Sequence, residues 1–139
     1  MLSFLFTITL ICKAQEFNLP IKFQSDYEMK ESLGESLKTN DLKEILTITF
    51  DGKRLLCKWQ SVKIFCDKEI SNYPIIKNFK GETSIIYALE EKNNDGLISY
   101  ILIERRFESF AMVDSIKFPY MSNDGMIYNY TIFTGYTDY

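Results

Sequence analysis

Two stretches, "NNDGLISY" at Asn93–Tyr100 and "SNDGMIYNY" at Ser122–Tyr130, carry Asn-Asp-Gly ahead of apolar and Tyr residues. Oxygen-bearing side chains at alternate positions before a Gly are what a calcium loop uses, closed by a bidentate Glu. Setting Gly96 at the glycine position puts Glu91, Asn93 and Asp95 at ligand positions, but Leu102 falls where the Glu belongs. Setting Gly125 there puts Tyr120 at the first ligand position and Thr131 at the last. Hairpin turns ask only that Asn, Asp and Gly accept positive φ, which they do. Asp51-Gly52 is a third instance of that turn chemistry. The expectation is therefore three chain reversals rather than an ion site.

The remaining chemistry is sparse. The chain has no His and three Cys, so a zinc site of the usual ligand types is excluded and no metal or cofactor is implied. Without His, acid–base work would rest on carboxylates, Lys or Tyr, with Glu90, Glu104 and Arg106 as the nearest cluster. Surface charge on a sheet explains them equally well. There is no G-x-S-x-G elbow, P-loop or dinucleotide fingerprint, and the expectation is a protein that is not an enzyme. Cys57 and Cys66 are candidates for a cross-strand disulfide if they face each other; as free thiols they would pack as small hydrophobes. They lack the C-x-x-C spacing of a redox motif.

Aromatic residues crowd the last part of the chain. Tyr120, Tyr128, Tyr130 and Phe133 are the candidate ligand- or partner-binding residues, since Tyr offers a large contact area with a polar tip. The plain alternative is one core face and one partly exposed face of a strand. Asn129-Tyr130-Thr131 matches the N-glycosylation pattern but falls in a predicted strand.

These residues need a scaffold of one domain, for which 139 residues suffice. Residues 2–11, "LSFLFTITLI", form an uncharged apolar run, too short to span a bilayer as a helix and matched to a signal-peptide core. Cleavage after Ala14 would leave residues 15–139 as a single exported domain, secreted or periplasmic, holding only Cys57 and Cys66. No Lys or Arg precedes the run, and a buried first strand is the alternative. A net charge of −3 with scattered basic residues argues against nucleic-acid binding.

Beyond the leader the pattern is that of strands. "EFNLPIKF" reads as a first strand, kept near a sheet edge by Pro20. Residues 27–38 allow a short helix or a strand. "ILTITF", Asp51-Gly52 and "KRLLCKW" read as a hairpin with type I′ chemistry, pairing Phe50 with Lys53, Ile48 with Leu55 and Leu46 with Cys57. Val62, Ile64 and Cys66 extend the same inner face. A two-residue turn at Gln60-Ser61 would leave Cys66 diagonal to Cys57; a four-residue loop to Lys63 would set them opposite. Eight or nine strands result, with hairpin connections throughout.

The expected fold is all-β and mainly antiparallel, an up-and-down meander forming a small barrel or strongly curved sheet. At most one short helix is expected, near residues 27–38. Its size, leader and meander resemble the calycin (lipocalin-like) barrels in architecture. The expected function is binding, of a small apolar molecule inside the barrel. The alternative is a protein partner or inhibition target met by an aromatic sheet face, with a carboxylate-dependent hydrolase behind both.

Overall fold

The computed structural model describes residues 19–33, 35–69, 75–77, 84–92, 94–108, 111–120 and 129–138. Residues 1–14, expected to be a leader, Tyr128 and the second Asn-Asp-Gly turn lie outside them. Nine strands follow: β1 (Ile21–Ser32), β2 (Glu35–Phe50), β3 (Arg54–Trp59), β4 (Ile64–Glu69), β5 (Ile75–Lys77), β6 (Ser84–Lys92), β7 (Ile98–Glu108), β8 (Ala111–Tyr120) and β9 (Asn129–Asp138). They form one antiparallel sheet in the order β4-β3-β2-β1-β9-β8-β7-β6-β5. Among the described residues there is no helix. Residues 27–38, open between helix and strand in the sequence, are strand on either side of a turn at Leu33.

The order places the first and last strands side by side at the centre, as in a closed meander, and leaves β4 and β5 as the two edges. The opening in the wall therefore falls in the middle of the chain. The sheet curls into a half-barrel. Its two arms touch through Phe50 and Tyr87, whose rings meet edge-on at 5.3 Å, and through Phe65 and Phe118, also at 5.3 Å. An ion pair between Lys68 of β4 and Glu91 of β6 spans the open side.

Period-two alternation drives this curl. Ile21 and Phe23 of β1, Leu46, Ile48 and Phe50 of β2, and Leu55 and Cys57 of β3 all point inward and are buried. They pack with Tyr87, Leu89, Ile101, Ile103, Ile116 and Phe133 from the other arm. Burying such side chains contributes about 1.5–3 kcal/mol each, which neither arm could gain alone.

Several expectations need correction. β1 is central rather than at an edge, and Pro20 stands just ahead of its first residue, where no ladder bond is lost. The β2–β3 register is displaced by two: Phe50 pairs with Leu55, Ile48 with Cys57 and Leu46 with Trp59. The reversal is centred on Gly52-Lys53. Asp51 Oδ1 accepts from the backbone N–H of both Lys53 and Arg54 at 2.8 Å. Only Gly52 has positive φ (97°), whereas a type I′ turn needs it at both central residues. A shift of two preserves the inner face.

On β4 the expected inner face is half right. Cys66 lies directly opposite Cys57, but a bulge between Cys57 and Lys58 on the β3 side sets Lys58 against Ile64 and leaves Phe65 as the extra residue. Phe65 turns inward onto Trp59, Phe118 and Phe133. Ile64 and Val62 are instead 53% and 70% exposed. Further along the chain, Asn94-Asp95-Gly96 makes the expected turn between β6 and β7, with Gly96 at φ 81°.

Candidate functional site

The site grows out of an interruption in β1. Up to Ser25, opposite Leu46, β1 pairs regularly with β2; at Tyr27 the partner is already Asp41, so Asp26 alone faces a run of β2. The same interruption limits the other side. β9 pairs with β1 only from Ser32 to Glu28, ending at Phe133, although both strands continue. Side chains replace the lost ladder. The Thr134 N–H donates to Ser25 Oγ at 3.3 Å, and Ser25 Oγ–H donates to the Tyr27 carbonyl at 2.7 Å.

Past that point the backbones come close at Gly135. A Cβ there would lie 2.8 Å from the Gln24 carbonyl and 2.8 Å from the Phe23 ring, so β9 approaches β1 closely only because this residue has no side chain. On the solvent side the seam opens into a groove of about 420 Å³. Tyr27 and Tyr136 form its aromatic walls, Gln24 and Asp26 its polar rim, with Ile45 and Thr134 between them. The volume falls within the range of small-ligand sites.

Its electrostatics are those of neutral donors beside one carboxylate. The Tyr27 hydroxyl donates to the Tyr136 hydroxyl at 3.2 Å. Burial pushes the Tyr27 phenol up to about 12 from 10.0, helped by the bond to Tyr136 and opposed by one from Thr134. The Tyr27 phenol therefore stays protonated at neutral pH. Tyr27 is the donor of the phenol pair, and the Tyr136 proton has no acceptor among the described residues.

The residues singled out in the sequence are dispersed. Phe133 is a core residue, packed on Phe65 and Phe118. Tyr120 pairs with Asn129, and its ring lies 5.2 Å beneath the Lys30 ammonium, which also donates to Thr131 Oγ1 at 2.7 Å. Tyr130, opposite Glu31 and Pro119, belongs to the other face of β9. The last strand thus divides its aromatics between two faces. Glu90 and Glu104 share a face, but Glu90 stands opposite Tyr100, four residues along β7 from Glu104, or about 13 Å. Arg106 shares that face of β7, two residues beyond Glu104 and on the side away from Glu90. Among the described residues no three acidic or Cys side chains cluster as a metal site would require.

The cysteines do meet. Both are free thiols, Cys57 buried and Cys66 half-buried, facing each other across the ladder. A hydrogen bond from Cys57 draws Cys66 down to about 7, while the same contact and burial push Cys57 up. Cys66 is the sulfur that ionises first.

Sequence reasoning missed Tyr27, Asp26 and Tyr136. Two signals were there: polar Ser25 at an inward position, and Gly135 inside a strand. No family model, curated protein or solved structure matches the chain.

Proposed function

We propose that the protein is an exported, non-enzymatic binding module that takes its ligand in the seam groove between β1 and β9. The observation carrying this reading is the groove itself: ligand-sized, walled by two phenols, and rimmed by Gln24 and Asp26, which have no hydrogen-bond partner among the described residues. A small apolar ligand inside the barrel has less support, because Phe50, Tyr87, Ile103, Ile116 and Phe133 fill the described interior. The test is a ligand-observed screen with a mixed library of apolar, cationic, anionic and polyhydroxylated fragments, run on the protein and on Tyr136→Ala. Hits weakened at least tenfold by the substitution support the groove. Hits that the substitution leaves unchanged would remove it.

A protein partner is the second reading, favoured by β4 at the end of the described sheet, where Ile64 is 53% exposed. A complex that survives Ile64→Lys would count against it. Export rests on the apolar run at residues 2–11; an oxidising compartment would then join Cys57 and Cys66, free thiols in this structure. Intact mass of the exported protein checks both. A chain starting at Gln15 and lighter by two hydrogens before reduction is expected; a retained leader and unchanged mass would contradict it.

A further inference from the structure

We propose that the ligand of the β1–β9 groove is a neutral saccharide, seated with a ring face on Tyr136 and its hydroxyls on the rim. The inference rests on the groove being a binding site and adds the class of ligand. It follows from which groups around the groove still lack partners.

Tyr136 is 62% exposed although its strand is otherwise well covered, with Ile132, Phe133, Thr134 and Gly135 all buried. An exposed aromatic face beside polar groups suits a molecule that is apolar on one side and polar around its edge. A pyranose is built that way, with C–H bonds on its faces and hydroxyls around its rim.

The polar groups make the same demand in both directions. The Tyr136 hydroxyl accepts from Tyr27, and its own proton has no acceptor among the described residues. The exposed Asp26 carboxylate can only accept, and the exposed Gln24 amide can do both; neither has a hydrogen-bond partner among the described residues. An apolar ligand would strip water from all three and return nothing, at a cost of about 1–3 kcal/mol for each group left unpaired. Hydroxyls, each donor and acceptor at once, satisfy all three.

Charge excludes the other polar classes. An anion would face Asp26. A cation would gain Asp26 but would leave the Tyr136 donor unused. It would also meet Lys22, two residues before Gln24 on the same face, and Lys58, opposite Thr47, which is itself opposite Gln24. Those lysines are offset by Asp26 and by Asp41, opposite Tyr27, so the charge about the groove is mixed and a neutral ligand loses nothing there.

The bond between the two phenols adds direction. Tyr27 is its donor, so the Tyr136 hydroxyl presents its proton at the mouth. Tyr27 sets that orientation and is a positioning residue; Tyr136, Asp26 and Gln24 are the contacts.

The test is isothermal titration calorimetry of the protein with glucose, galactose, mannose, N-acetylglucosamine, maltose, cellobiose and chitobiose, with spermidine and decanoate as charged and apolar comparisons. At least one neutral sugar should bind, weakened tenfold or more by Tyr136→Ala and by Asp26→Asn, and by a smaller factor by Tyr27→Phe. Unchanged thermal midpoints in Tyr136→Ala and Asp26→Asn would show that the fold is intact. Spermidine or decanoate binding with the same Tyr136 dependence, and no sugar binding, would overturn the saccharide assignment while leaving the groove as the site. Absence of any Tyr136-dependent ligand would overturn both.

Discussion

The half-barrel carries two interruptions of its ladders, and they do opposite things. At the β1–β9 seam, the step from Ser25 to Tyr27 parts two central strands and turns aromatic and polar side chains outward into a groove. At the β3–β4 edge, the step between Cys57 and Lys58 turns an aromatic residue, Phe65, inward and leaves Ile64 outside. One irregularity opens the wall where it is flanked by strands on both sides. The other closes the core where the sheet ends. The difference teaches that an interruption can become a site when the sheet around it is held together by other means.

The seam has such means. Arg105 and Asp114, opposite each other on β7 and β8, form a two-point ion pair at 2.7 and 2.9 Å, almost fully buried, and Asp114 is also opposite Gly135. On the edge, the two-point pair between Arg54 and Asp67 is exposed and contributes little. Asp114→Asn should therefore cost the most of any change considered, about 3–5 kcal/mol, because it removes the charge that matches Arg105 in the core. Urea denaturation reads this directly, and a loss under 1 kcal/mol would mean that the seam is not anchored there.

Gly135→Ala comes next. The new methyl would meet the Gln24 carbonyl and the Phe23 ring inside contact distance, and backbone cannot move aside cheaply. A loss of about 2–3 kcal/mol is expected, with lower affinity for any groove ligand. Unchanged stability would show that β9 has room to withdraw from β1.

At the edge the prediction has the opposite sign. Val62, highly exposed, closes the β3–β4 turn at φ 67°, a left-handed conformation that its branched side chain resists. Its N–H donates to the Trp59 carbonyl at 2.8 Å, which holds the turn in place. Val62→Gly should stabilise the protein by about 1 kcal/mol, measured as a raised urea midpoint. A lowered midpoint would show that the Val62 side chain contributes contacts which outweigh its strain.

The smallest effect concerns pH. Tyr27 ionises near 10.0 when unfolded and near 12 when folded, so its contribution to stability is complete below about pH 10 and is lost as pH rises toward 12. Tyr27→Phe should flatten that part of the stability–pH curve and leave the neutral region nearly level. A slope that persists between pH 10 and 12 in the variant would assign it to other groups.

Much of the fold was legible in the sequence. Leu46, Ile48, Phe50, Leu55 and Cys57 show their shared face by alternation alone, and Gly52 and Gly96 mark reversals that only a residue tolerating positive φ makes easily. The expected Cys57–Cys66 pairing is found, but through a bulge that sets Lys58 against Ile64 rather than through the four-residue loop from Gln60 to Lys63. The two-residue error at Phe50 arose because the Asp51 side chain caps the turn and moves its centre to Gly52-Lys53. Ile64 and Phe65 exchanged faces because a bulge changes parity, and no local pattern announces one. The groove was illegible for a deeper reason. Tyr27 and Tyr136 are 109 residues apart in sequence, and they meet only because the first and last strands pair. A charged residue continuing an inward series, Arg105 after Ile101 and Ile103, was the clearest overlooked sign that the interior is partly ionic.

The central claim, that the seam between β1 and β9 is the binding site, is tested most directly by mapping backbone-amide NMR shifts during titration with the fragment library. The account predicts that polyhydroxylated fragments move Gln24, Asp26, Tyr27, Thr134 and Tyr136 together and saturably, while β4 stays unmoved. Shifts centred on Ile103 and Tyr87 in the interior, or on Ile64 to Glu69 at the edge, with the seam silent, would contradict it.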